Sequence, residues 1–233
     1  LQGEADLGPG HGEAAHDIEA GGIFAARRAQ ELASCRNLGE ELLDPNVFTS
    51  LPFNHIVFTG SPAVGKIVMR TAADNLTPVT LELGGKSPAL VTRHYSVEDA
   101  ATRITHGKSV NCGQICVSPD YALVPRESVE AFIAGVKATF QRFYGERTDG
   151  NENYTAVVHY RHHQRMMKML DDARAKGARV EACAPLPSGA GRQMPLHIVT
   201  HMTPDMLVMK DELFGPILPV VPYDTMDEAI AFI

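Results

Sequence analysis

An α/β fold with parallel strand pairing is the class that this sequence predicts. Three observations lead there. Short apolar strands such as "HIVFTG" (55–60), "PALV" (88–91) and "YALVP" (121–125) recur along the chain. Each is followed, directly or after another strand, by a stretch of helical periodicity. The helix starts carry recognisable caps. Strands that alternate with helices belong to α/β sheets rather than to sandwiches or bundles.

In chain order, "HIVFTG" is an apolar strand ending at Gly60. Ser61 caps the next helix, and Pro62 suits its first turn, where a missing N–H costs nothing. Val64, Val68 and Ala72 recur at four-residue spacing beside Ile67, which predicts a helix to about Asn75. "PVTLELGG" sets Val79, Leu81 and Leu83 on one face and Thr80 and Glu82 on the other, and Gly84-Gly85 then predicts a sharp turn. Ser96-Val-Glu-Asp99 reads as a capping box opening a helix toward His106.

Beyond "YALVP", Val129, Phe132, Ile133, Val136, Phe140 and Phe143 mark one face of an amphipathic helix. "RHHQRMMKMLDDARAKG" is a further helix stopped by Gly177. "ARVEAC", "LHIVTHM" and "PILPVVPY" are strands, with a Pro/Gly/Ser loop at 185–191 between the first two. Residues 9–50 differ from the rest, being rich in Ala, Gly and Glu. There "FAARRAQELASCRNLGEELL" is read as a helix with a thin apolar stripe. Gly8, Gly10 and Gly12 suggest a dinucleotide loop, but no strand precedes them and Pro9 interrupts, so they are read as a plain loop.

Composition excludes several function classes. A formal charge of −7 argues against a nucleic-acid surface, which would cluster Lys and Arg. No apolar run approaches the roughly 20 residues of a membrane span. Four irregularly spaced cysteines, at 35, 112, 116 and 183, read as free thiols of a reducing compartment, hence a cytoplasmic protein. The chain opens on "LQGEADLGPG", neither a Met start nor a signal peptide, and closes at Phe232-Ile233 inside a helical stretch. Both ends are therefore expected to be cut.

Four motifs carry possible chemistry. "FTGSPAVGKI" nearly spells a triphosphate loop, Gly60 and Gly65-Lys66 having the right spacing. Ile67, however, replaces the hydroxyl that would hold magnesium. A strand, a Gly-Ser turn and a helix start still suit a metal-free pyrophosphate, or simply a capped helix. Cys35, Cys112 and Cys183 are read as small buried hydrophobes. Cys116 follows a turn crowded by glycine and Gln114 and is either another of these or a reachable nucleophile. Glu82 in its apolar strand faces water or, if buried, serves as a base of raised pKa. His159, His162 and His163 sit beside Arg161 and Arg165, whose charge would repel a cation, so they are read as a solvated helix terminus and no metal is expected. The Met166, Met167 and Met169 group is read as filler.

Taken together, "FTGSPAVGK", "LELGGKSP", "GQIC" and "ELFGP" resemble the aldehyde dehydrogenase superfamily over about 51–233, with a weak echo in "GEADLG" at 3–8. "GQICVSPDYALVP" is most similar to the coniferyl aldehyde and class 3 fatty and aromatic aldehyde branch. The resemblance implies an atypical insertion or linker at 1–50. It implies the end of a Rossmann-like cofactor domain at 51–82 and part of an α/β catalytic domain at 83–233. It implies Cys116 as nucleophile and Glu82 as the base that activates water. It places Gly60, Ser61 and Gly65 near the pyrophosphate of NAD or NADP, with Leu83, Glu212 and Phe214 around the nicotinamide ribose and ring. A small-molecule aldehyde substrate and a homo-oligomeric full-length enzyme, dimer or tetramer, follow from the same likeness.

The pattern also departs from the family. Members are longer, and 9–50 exceeds their connector, as an insertion or a disturbed reading frame would. The isolated chain is expected to turn over weakly or not at all. Two alternatives stand beside an oxidising enzyme: a non-catalytic remnant that binds nucleotide or a partner subunit, and a thiol enzyme that reduces acyl phosphates without needing Glu82.

Overall fold

The computed structural model of the chain describes residues 23–25, 48–187 and 191–233. It divides into two compact units, Leu1–Gly84 and Gly85–Ile233. Most of the helix expected over 24–43, the glycines at 8–12, the "GEADLG" echo and Cys35 lie outside the described residues.

The first unit contains a three-stranded sheet in the order β1-β2-β3, from β1 (Ile23–Ala25), β2 (Ile56–Gly60) and β3 (Val79–Leu83). Helix α1 (Pro62–Ala73) joins β2 to β3, which pair in parallel with Gly60 opposite Leu83. The first two residues assigned to the expected 24–43 helix are instead strand, since β1 pairs antiparallel with β2. Ser61 caps α1 by accepting from the Val64 N–H at 3.4 Å. Phe53, Ile56, Phe58, Val68 and Ala72 form the buried core between helix and sheet. Gly65 lets the helix approach closely, because a Cβ there would lie 2.9 Å from Leu83 Cδ2.

The second unit holds a five-stranded sheet in the order β4-β5-β8-β7-β6. Its strands are β4 (Pro88–Leu90), β5 (Tyr121–Pro125), β6 (Arg179–Ala182), β7 (His197–Thr200) and β8 (Ile217–Tyr223). Pairing is parallel except at the edge, where β6 runs antiparallel to β7. The loop between those two strands simply returns the chain, so no crossover helix is needed there. Strand β5 is buried on both faces: Ala122 and Val124 enter the main core, while Tyr121 and Leu123 pack with Tyr223 and Ala229.

The helices of this unit are α2 (Val97–Ser109), α3 (Val129–Tyr144), α4 (Tyr160–Ala175), the short α5 (Leu207–Lys210) and α6 (Met226–Phe232). Helix α2 carries half of the expected capping box. Ser96 Oγ accepts from the Asp99 N–H at 3.2 Å, but the Asp99 carboxylate turns to Tyr95 and Arg103. On α3, Phe132, Ile133, Val136 and Phe140 are buried as the periodicity predicts, whereas Phe143 is 37% exposed. Phe143 meets the edge of the His106 ring and lies under Arg142. The glycine pair at 84–85 also differs from the expected sharp turn. Neither residue has positive φ, and the link to β4 is irregular because the next strand joins another sheet. Among the described residues no helix is long and apolar enough to cross a membrane.

Candidate active site

Within the first unit, the parallel register brings the carboxyl ends of β2 and β3 side by side. Gly60, Ser61 and Leu83 therefore share one edge of the sheet, and Glu82 lies opposite Thr59 one residue back. Ser61 and Glu82 are exposed and Leu83 is half-buried. A strand end followed by a helix start is an anion-accepting arrangement, and the first-turn amide of Ala63 has no helical carbonyl behind it. Gly65 lies one turn further in and is buried, with Leu83 where its Cβ would be. Lys66 is exposed.

Within the second unit, Cys116 is exposed, whereas Cys112 and Cys183 are buried. Burial pushes the Cys112 thiol up to about 11 and the Cys183 thiol up to about 12. The turn ahead of Cys116 is built from three successive residues in the left-handed region, Asn111 (φ 49°), Cys112 (φ 58°) and Gly113 (φ 71°). Such a backbone persists only where its surroundings hold it. Gln114 supplies that hold. Its buried amide donates to Asn111 O at 2.9 Å and Ala156 O at 3.2 Å, and accepts from the Val158 N–H at 2.8 Å. Cys112 Sγ meets the Tyr154 hydroxyl at 3.7 Å beneath it, and Ser87 Oγ donates to Cys116 O at 3.4 Å.

Glu212 and Phe214 lie on the loop between α5 and β8. Glu212 is half-buried, and its carboxyl is raised above the usual carboxylate range by burial, then by the nearby Asp120 charge. The Gly85 amide, bonded to it, opposes that shift. Phe214 takes φ 49° and lines a cleft of about 340 Å³ with Asn111, Gln114, Thr155, Ala156 and Val158. The structure thus brings Phe214 and the turn ahead of Cys116 onto one cleft. Their backbones also touch, since a Cβ on Gly113 would lie 2.6 Å from Gly215 O.

The residues that fix this loop were missed or misread in the sequence. His162 is not a solvated terminus: its Nε2 donates to Phe214 O at 2.7 Å, and its ring packs on Phe214. Burial lowers the His162 pKa. One turn along α4, Arg165 donates to Leu213 O at 2.9 Å and Glu212 O at 2.5 Å. The spacing of 162 and 165 on one helix face was a visible signal, but its target lies some fifty residues away in sequence. His159, by contrast, is exposed and caps α4 by accepting from the His162 N–H at 3.0 Å.

A family model described as "Aldehyde dehydrogenase family" matches residues 39–233. The chain belongs to the aldehyde dehydrogenase family. The match begins ahead of the 51–233 stretch that the motifs outline. A "Probable coniferyl aldehyde dehydrogenase" of Pseudomonas aeruginosa is 49% identical over 187 residues, covering 80% of this chain and 38% of its own length. "Aldehyde dehydrogenase family 3 member A2" of Rattus norvegicus is 42% identical over 182 residues, covering 78% and 36%. These relatives bear out the expected branch.

Among solved structures, the substrate-bound state of Staphylococcus aureus AldH superposes with a TM-score of 0.75 at 37% identity, over 82% of this chain and 41% of that one. A 3,6-anhydro-L-galactose dehydrogenase in complex with NAP gives 0.71 at 28% identity, over 80% and 40%. A double mutant of Staphylococcus aureus betaine aldehyde dehydrogenase in complex with NAD+ gives 0.71 at 26%, over 80% and 38%. The aldehyde dehydrogenase-like α/β fold is thereby established, and this chain spans less than half the length of the relatives it matches.

Proposed function

We propose that this aldehyde dehydrogenase family chain is the central portion of an enzyme that oxidises an aldehyde to the carboxylic acid with NAD or NADP. Aromatic aldehydes of the coniferyl type, or fatty aldehydes, are the substrates proposed. The observation that carries the reading is Cys116: an exposed thiol on a strained, side-chain-pinned turn whose backbone touches the loop of Glu212 and Phe214. Residues 51–82 would supply the end of the cofactor domain and 83–233 the thiol-bearing domain.

The residues present fit a dinucleotide. Gly60, Ser61 and the start of α1 offer amides and a positive helix end to a pyrophosphate, with no hydroxyl at Ile67 for a metal. Glu212, a half-buried carboxylate, suits the nicotinamide ribose hydroxyls, and Phe214 offers an aromatic face. Leu83 would approach the ring through its backbone. When bound, the cofactor accepts the hydride.

Cys116 as thiolate attacks the carbonyl carbon, forming the C–S bond of a thiohemiacetal. Its own N–H supports the oxyanion in part. After hydride loss the carbon is a thioester. Glu82 takes a proton from the water that attacks it, and the thiolate leaves with the acid released. In the full-length protein the partner is a second copy of the chain, as a dimer or tetramer. A polypeptide of these 233 residues alone would turn over little.

Thiol labelling tests the reading in the full-length protein. An aldehyde-like thiol reagent should modify Cys116 and not Cys112 or Cys183, with NAD or NADP slowing the reaction. Unselective labelling, or no protection by either dinucleotide, would favour the non-catalytic remnant. Glu82→Gln should slow thioester hydrolysis by about 10²–10⁴ and accumulate acyl-enzyme. Unchanged hydrolysis would instead point to the acyl-phosphate alternative.

A further inference from the structure

The loop of Glu212 and Phe214 is gripped from a second direction in sequence, independently of α4. Lys86 Nζ lies 2.5 Å from Asp120 Oδ2 and donates to Val208 O at 3.2 Å and Asp211 O at 3.1 Å. An ammonium has three N–H bonds, so all three are taken. Asp120 Oδ1 accepts from the Leu213 N–H at 2.9 Å. The Asp120 N–H donates to Ser87 O at 2.8 Å, which fixes the Lys86 strand-to-strand link against the Asp120 turn. Lys108, 1% exposed in its side chain, points its ammonium at Asp120 Oδ1 from 4.0 Å and finds no hydrogen-bond partner among the described residues. A single buried carboxylate is thus flanked by two lysines and bonded to a loop amide.

A buried ion cluster is an expensive way to hold a loop, because each charge loses its hydration. A neutral acceptor or a water would satisfy the Leu213 amide at lower cost. What the charges add is directional hold on a segment with no regular hydrogen-bond ladder: Asp211 O and Leu213 N are fixed on either side of Glu212. We propose that Lys86 and Asp120 are positioning residues that lock the Asp211–Phe214 backbone and so preset Glu212 and Phe214 for the cofactor. This rests on the reading of those two residues as cofactor contacts. Neither Lys86 nor Asp120 need touch cofactor or substrate.

The test uses the full-length protein with Lys86→Met, Asp120→Asn and, as a control, Glu212→Gln. Asp120→Asn strips Lys108 of its counter-ion and risks the fold, whereas Lys86→Met leaves the Asp120–Lys108 pair intact. Two quantities are read: hydrogen exchange at the Leu213 amide without cofactor, and the KM values for cofactor and aldehyde beside kcat. In folded Lys86→Met, exchange at Leu213 should quicken about tenfold or more, with exchange in β8 unchanged. The cofactor KM should rise by about tenfold while the aldehyde KM and cofactor-free labelling of Cys116 stay at wild-type values. Wild-type exchange at Leu213 overturns the locking. Faster exchange with an unchanged cofactor KM overturns its role toward the cofactor. If Glu212→Gln itself leaves the cofactor KM unaltered, the cofactor reading of Glu212 fails instead, and the exchange rate alone decides the locking.

Discussion

Gly113 shows how narrowly the turn ahead of Cys116 is constrained. Its φ of +71° disfavours any L side chain, and a Cβ would sit 2.6 Å from Gly215 O and 2.9 Å from Lys108 O. Both obstacles are backbone atoms, which cannot swing aside as a flexible side chain can. Gly113→Ala should cost about 3 kcal/mol and push the Gly215 loop away, measured as a lower urea midpoint with slower Cys116 labelling. Wild-type stability with wild-type labelling would contradict the geometry. Some of this was legible in "NCGQIC", where a crowded turn before a reachable thiol could be read. The left-handed φ of Cys112 could not, since cysteine seldom adopts it, although Asn111 is of a type enriched there. Nor could the reach of Gln114 to Ala156 and Val158, because a side-chain amide gives no sign in sequence of which distant backbone it will staple.

Helix α4 makes the same point one scale up. Met166 and Met169, read as filler, are buried with Leu170 and Ala173 on one face of the helix. Its charged first turns looked like solvent-facing residues, yet His162 and Arg165 hold three successive carbonyls, Glu212 O, Leu213 O and Phe214 O. Periodicity reports where apolar groups gather; it says nothing of which polar groups find partners across the fold. Arg165→Met keeps the apolar stem and removes two charge-assisted bonds, each worth about 1.5–3 kcal/mol before the carbonyls find water. The expected result in the full-length protein is faster exchange across Gly215–Ile217 and a raised cofactor KM, with α4 helicity retained. Unaltered exchange there would assign Arg165 to the surface after all. The strands were legible for the complementary reason: β5 and β8 are apolar enough to be recognised as strands, but the antiparallel edge pairing of β6 depends on loop closure, which composition does not encode.

For the molecule as a whole, the balance of stability with pH turns on what the second unit buries. His197 stands in β7 within the five-stranded sheet, 1% exposed, with Nδ1–H donating to Pro195 O at 2.7 Å. Burial lowers its pKa from 6.5 to about 4; the Pro195 bond opposes this, and Arg174 adds to it. The unfolded chain therefore binds a proton near pH 6.5 that the folded chain refuses until about 4, so stability rises with pH across that window and is lost as pH falls through it. The gap corresponds to roughly 3 kcal/mol. His162, also lowered by burial, contributes in the same direction but is only half-buried, and the paired carboxylates such as Asp172 act lower still. His197→Gln keeps an amide donor near Pro195 O and removes the titration. Urea midpoints of wild type and variant, taken from pH 7.5 down to 4.5, should therefore diverge: the wild type loses stability steadily below pH 6.5, and the variant falls more gently, keeping only the smaller slope of His162 until the carboxylates protonate. Parallel curves would place the acid sensitivity elsewhere, since no other group in this sheet refuses a proton over the same interval so completely among those described.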